Sequence, residues 1–273
     1  MTTWTHFEDT GAGGEEGGPD SPRTNPPRDF RELFRQVLLV TFAGFIYFAV
    51  RGLTEGSPAE AVERGLDILE WEESVGIAIE KEAQDLIAGS EMLVTLSNWV
   101  YIWFHWPVII ATLVWLHRNH RVKYLLLRNA MFISGAIGMV IFAIYPVAPP
   151  RLTEAGFVDT VTDLSTSYRV LQPPALVNKY AAVPSLHVGW NLLVGIVVLT
   201  VATHKIPRIF AALSPIAMII AVVLTANHYV IDAVAGIIVA MIGLAFAHKI
   251  PTSMRTVRSI ENQAARKNGS ISP

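Results

Sequence analysis

His228 and Asp232 stand four residues apart in the run Asn227-His-Tyr-Val-Ile-Asp232. On a helix that spacing stacks both side chains on one face, one turn apart. A carboxylate beside an imidazole fixes its tautomer and stabilises the imidazolium, so the pair is equipped for nucleophilic or acid–base chemistry. The plainer reading is a His–Asp pair that only locks two helices together. A second histidine, His187, ends the run Val183-Pro-Ser-Leu-His187. There Pro184 and Ser185 also fit simple helix-start chemistry. Together the two histidines and the aspartate offer a nucleophile, the carboxylate that orients it and a separate acid. Arg151 closes Tyr145-Pro-Val-Ala-Pro-Pro-Arg151 and brings a guanidinium able to hold phosphate oxygens in a fork, or to snorkel at a membrane surface. The chemistry these residue types suit is phosphoryl transfer.

For that chemistry the three runs must be brought to one place, and the composition indicates how. Hydrophobic residues make up 52% of the 273 and charged residues 16%, well below the ~25% charged of a soluble domain. Six apolar segments, near 36–53, 97–116, 128–147, 183–203, 207–226 and 228–248, each approach the ~20 residues of a spanning helix. The expected fold is therefore all-α, a polytopic membrane bundle of six transmembrane helices. Residues 1–30, rich in Gly and Pro, read as a disordered cytoplasmic tail without the pattern of a signal peptide. Residues 31–250 form the membrane domain, and 251–273 a second cytoplasmic tail.

Lys and Arg set the orientation. With the N-terminus inside, the inner flanks carry twelve and the outer loops six, namely Arg51, Arg64, Lys81, Arg151, Arg169 and Lys179. Both termini are thus expected in the cytoplasm and the active site at the outer face, where all three runs fall. Arg128, on the inner side, stands roughly 30 Å away. The segments that begin at His187 and His228 direct helix N-termini outward, and these favour an anion. The first outer loop, about 54–96, holds eleven acidic residues with Leu66, Leu69, Ile77 and Ile79 between them. It reads either as one or two amphipathic helices at the interface or as a solvated acidic loop. The second, about 146–182, is proline-rich and resists regular helix.

The three runs resemble the signature of the type 2 phosphatidic acid phosphatase (PAP2) superfamily. Pro184-Ser185-Leu186-His187 resembles its second motif, His228-Tyr-Val-Ile-Asp232 its third, and Pro149-Pro150-Arg151 the arginine end of its first. The wording is most similar to the inositolphosphotransferase branch that contains inositol phosphorylceramide synthases. The resemblance implies that His228 attacks phosphorus and becomes a phosphohistidine, that Asp232 orients it, and that His187 protonates the leaving oxygen and then activates the acceptor. It further implies that Arg151 and Ser185 hold the phosphate, with no metal and no cofactor. Two cationic positions of many members are replaced here, one by Ile144 and the other, a Ser-Arg pair, by Ala221 and Val222. His105 and Tyr101, one turn apart on the second segment, are candidates for part of that substrate-binding role; an interhelical hydrogen bond is the plainer reading.

The expected function is a membrane phosphatase or phosphotransferase on a lipid-linked phosphate, with water or a polyol or lipid hydroxyl as acceptor, in the plasma membrane. The alternative is a non-enzymatic carrier using the histidines as a proton relay; carriers place broken helices or charges at the bilayer midplane. A histidine-ligated haem or metal would need His105 paired with His187 or His228. A formal net charge of −2 speaks against nucleic acid as a partner. The chain has no cysteine, so thiolate chemistry is excluded.

Overall fold

The computed structural model of the protein describes residues 30–53, 57–153, 155–161 and 179–250; the two expected tails lie outside this range, save Phe30 at the edge of the first. The described residues form nine α-helices: α1 (Phe30–Leu53), α2 (Pro58–Ser74), α3 (Glu80–Ala88), α4 (Glu91–Trp103), α5 (Trp106–Asn119), α6 (Arg121–Ile144), α7 (Leu186–Leu199), α8 (Lys205–Leu224) and α9 (Val230–Lys249), with a 3-10 turn at Pro150–Leu152. Among the described residues there is no β-strand; Val147 and Ala181 make one isolated parallel bridge. The all-α expectation holds.

Among the described residues three helices, or four if a bent pair counts as one, meet the length and apolarity of a span, where six were expected. Helices α6, α8 and α9 are each long and apolar enough to cross a membrane, and α4 with α5 makes a fourth span if the two are taken together. That pair is bent by 40° at Phe104–His105, where Pro107 enters the first turn of α5. Pro107 has no N–H to give to the Trp103 carbonyl one turn back, so the apolar run 97–116 folds as two pieces. Helix α7 has only 14 residues, about 21 Å at 1.5 Å per residue, against a hydrocarbon core of ~30 Å. Ser185 caps its start and Thr200 ends it. Helix α1 carries a shorter apolar stretch, Phe34–Ile46, among its described residues.

The core is the contact of α9 with α6 and α7, and of α7 with α8. Each crossing is closed at a glycine where a Cβ would run into the facing backbone. Gly243 of α9 meets the Ala130 carbonyl oxygen of α6 at 2.6 Å; Gly189 of α7 meets that of Gly236 on α9 at 2.5 Å; Gly195 of α7 meets that of Ala211 on α8 at 2.5 Å. Small residues of this kind let helices in a bilayer approach closely. The opposite face of α8 presents Ile206, Ile209, Leu213, Ile216 and Ile220 outward, a helical-period apolar stripe suited to lipid.

The segment expected as the first outer loop folds into two helices, α2 and α3, and is part of the site's frame. The Ala61 carbonyl accepts from Ala148 N–H at 2.8 Å, and Arg64 Nη1 donates to the Pro146 carbonyl at 3.2 Å. A Cβ at Gly65 would lie 2.6 Å from the Tyr229 hydroxyl and 2.8 Å from the Ala148 oxygen. Helix α2 is thus pressed against the chain that leads to Arg151.

Candidate active site

The turn that presents His228 is built from backbone. Helix α8 ends with Ala226 N–H bonded to the Val223 carbonyl and Asn227 N–H bonded to that of Val222, the reciprocal pair of a Schellman motif. Ala226 takes φ 49°, a left-handed conformation that costs a residue with a Cβ about 1–2 kcal/mol. Arg151 N–H then closes on the Ala226 carbonyl at 3.0 Å, joining the first and third sequence runs.

His228 Nδ1 faces two acceptors, the Ala182 carbonyl at 2.9 Å and Asp232 Oδ2 at 3.2 Å. Since neither partner can donate, Nδ1 carries the hydrogen and Nε2 the lone pair. Asp232 is fully buried, and its Oδ2 also accepts from Tyr229 N–H at 3.0 Å, which caps the start of α9. The Asp232 carbonyl accepts from Ser185 N–H at 3.0 Å, which ties the first turn of α9 to the start of α7.

That tie brings His187 to His228, with ring centroids 5.9 Å apart. His187 is buried between Tyr101, stacked at 4.5 Å, and His105, at 4.1 Å. His105 sits at the break between α4 and α5 and is stacked in turn on Trp190 at 5.8 Å, whose indole N–H donates to Ser134 Oγ at 3.1 Å. Tyr101 and His105 therefore lie in the same ring cluster as the two sequence-run histidines. The Ser185 hydroxyl oxygen caps α7, accepting from Val188 N–H at 3.5 Å, and the residue is fully buried. Among the described residues no group of three His, Asp or Glu side chains is arranged to hold a metal ion.

The Arg151 side chain is largely enclosed, 7% exposed. Its Nε donates to Asn227 Oδ1 at 2.8 Å and its Nη1 to Asp159 Oδ2 at 2.5 Å; Nη2 has no partner among the described residues. Asp159 rides on a segment pinned by two neighbours. Gln84 exchanges two hydrogen bonds with the Val158 backbone, at 2.9 and 2.8 Å, and Asn98 donates to the Thr160 carbonyl at 2.9 Å.

One expectation is overturned at α9. Its N-terminus does not offer its first N–H groups to an anion from outside, because two side chains of the first outer loop take them. Glu80 Oε1 accepts from Val230 N–H at 2.7 Å and Glu72 Oε1 from Ile231 N–H at 2.7 Å. Among the positions where family cations are replaced, Ile144 is exposed at the end of α6, whereas Ala221 and Val222 are buried in α8.

Residues 66–246 match the family model of the PAP2 superfamily, and the chain belongs to that superfamily. With the apolar helices, this makes it a membrane protein of a class of phosphatases and phosphotransferases that act on phosphate-containing substrates. Neither a curated protein nor a solved structure matches the chain.

Proposed function

We propose that the protein is a lipid phosphatase or phosphotransferase working through a phosphohistidine on His228. The observation that carries this reading is the pair of acceptors on Nδ1, which leaves the Nε2 lone pair for phosphorus in a ring that two bonds hold still. In the first step Nε2 attacks phosphorus, and His187 gives a proton to the departing lipid oxygen. In the second His187 takes a proton from water or from a polyol or lipid hydroxyl, which attacks the phosphohistidine and frees His228. Asp232 and the Ala182 carbonyl stabilise the positive charge that develops on the His228 ring. Arg151, with Nη2 the donor left over, holds the phosphate; Tyr101 and His105 wall the side where the leaving group departs.

Six spans with both termini in the cytoplasm, α1 and α7 being completed or shortened locally, would put this site at the outer leaflet, and the twelve-to-six Lys and Arg distribution supports that placement. The wording of the three runs favours transfer to a hydroxyl acceptor, inositol phosphate among the groups moved. The deciding experiment incubates the purified protein with a panel of lipid phosphates, with and without polyol acceptors, and separates free phosphate from transferred product. Free phosphate alone makes it a phosphatase and acceptor-dependent product a transferase. Neither product, on any substrate, removes the enzymatic reading and leaves the carrier.

A further inference from the structure

Glu72 and Glu80 are both fully buried, on different helices of the first outer loop. Neither is in an ion pair among the described residues. Each spends one oxygen on an N–H of the first turn of α9. The second oxygens, Glu72 Oε2 and Glu80 Oε2, are buried and have no donor among the described residues. An unpaired buried carboxylate is costly, and two side by side more so. The two carboxyls bind the N–H groups of neighbouring residues, Val230 and Ile231, and Glu80 acts on the Glu72 carboxyl as a hydrogen-bonding neighbour that raises it, so a single proton shared between their second oxygens satisfies both at once. The charged and titratable groups facing them are Asp232 and Tyr229 of α9; His228 bears on Asp232 from the other side. No cation is in this set to stabilise a second negative charge.

We propose that Glu72 and Glu80 are positioning residues, a carboxyl pair sharing one proton that clamps the first turn of α9 and so holds Asp232, and through it the His228 ring, in line for attack. The proposal rests on the reaction proposed above. Burial and the neighbouring Glu80 push the Glu72 carboxyl up to about 8. Below that pH the pair keeps its proton and the clamp is closed. Above it, two carboxylates share a buried space with Asp232, and the mutual repulsion pulls the clamp from the helix end.

The test uses the full chain in detergent or lipid discs, with Glu72→Ala, Glu72→Gln, Glu80→Gln and the double Gln variant. The infrared carbonyl band of a protonated carboxylic acid reads the shared proton. Single-turnover phosphoenzyme formation from an activated aryl phosphate reads the positioning, because that leaving group needs no acid and His187 drops out of the pH profile. The wild type should show the band near neutral pH and lose it, together with rate, as pH rises through about 8. Either single Gln variant should lack that band yet keep the neutral rate within about threefold, since its NH₂ donates to the remaining carboxylate. It should also lose the alkaline fall. The double variant turns two NH₂ groups on each other, and Glu72→Ala leaves Ile231 N–H bare; both should slow phosphoenzyme formation on the order of 100-fold, the effect of a roughly 1 Å misplacement.

A wild type without the band, or single Gln variants with the wild-type alkaline fall, would overturn the shared proton. Wild-type rates in Glu72→Ala and in the double variant would overturn the positioning role. A wild type that forms no phosphoenzyme overturns the proposed reaction and the positioning role with it, while the infrared band still reads whether the clamp exists.

Discussion

Gly236 on α9 lies against Ser185 at the head of α7, so close that a Cβ would stand 2.1 Å from the Ser185 carbonyl oxygen. Both atoms belong to backbone, and neither can turn aside. This contact sets the separation of α7, which carries His187, from α9, whose first turn follows His228. Gly236→Ala is therefore expected to push α7 and α9 apart, to cost about 1–3 kcal/mol of stability, and to slow phosphoenzyme formation more than it lowers the melting temperature alone accounts for. Gly89→Ala, with open space around its Cβ, is the control. Thermal unfolding and single-turnover rates on both variants check the expectation, and a wild-type rate in folded Gly236→Ala would refute it.

The two histidines should separate by leaving group. His228→Ala is expected to lose phosphoenzyme formation by several orders of magnitude on every substrate, with insertion and folding intact. His187→Ala should cripple turnover of an alkyl lipid phosphate but largely spare phosphoenzyme formation from an aryl phosphate, whose leaving group needs no proton. Asp232→Asn, which keeps a hydrogen bond but not the charge, should fall between. Equal losses for His187→Ala on alkyl and aryl substrates would leave that residue only a binding role.

Arg151 gives a signed prediction about its carboxylate. Gln84 and Asn98 pin the backbone on either side of Asp159, so in the proposed reaction its carboxylate is expected to orient the guanidinium instead of competing with phosphate for it. Asp159→Asn should raise KM several-fold with kcat nearly unchanged, and Arg151→Lys, which loses the fork, should raise it about tenfold. A lowered KM in Asp159→Asn would show that the carboxylate occupies the phosphate's place.

Sidedness is checked with single cysteines, which the native chain lacks. A cysteine at Ser165 is expected to react with an impermeant reagent in intact cells and one at Ser270 is not; both positions lie outside the described residues. The reverse pattern would move the site to the cytoplasmic leaflet and change the substrate pool.

Side-chain spacing made much of this site legible in the sequence. His228 with Asp232, His187 and Arg151 announce themselves by type and interval, and His105 with Tyr101 by being polar in an apolar run. What stayed hidden was carried by backbone or by residues with nothing to distinguish them. The Ala182 carbonyl, the shorter of the two bonds on His228 Nδ1, leaves no side-chain signal. Asp159 is one acid in a loop, and Trp190 one aromatic among many. Glu72 and Glu80 stand among eleven acids that, taken together, read as a solvated face; burial separates these two and spacing does not. The break at His105 was readable, since Pro107 stands inside the run 97–116 and proline there argues against one continuous helix.

The bonds from Glu72 and Glu80 to α9 reach across 159 and 150 residues of chain. In biosynthesis α2 and α3 leave the ribosome long before the segment they grip. At ~5–20 residues per second their partners arrive on the order of ten seconds later. Until then the two carboxyls have no helix end to hold, and His228 has not been made. The newborn protein thus spends that interval in the membrane without a reactive centre. Its first encounter with a phosphorylated substrate as a working catalyst waits for insertion of the last span, which makes the closing of α9 against the early loop the step that switches the molecule on.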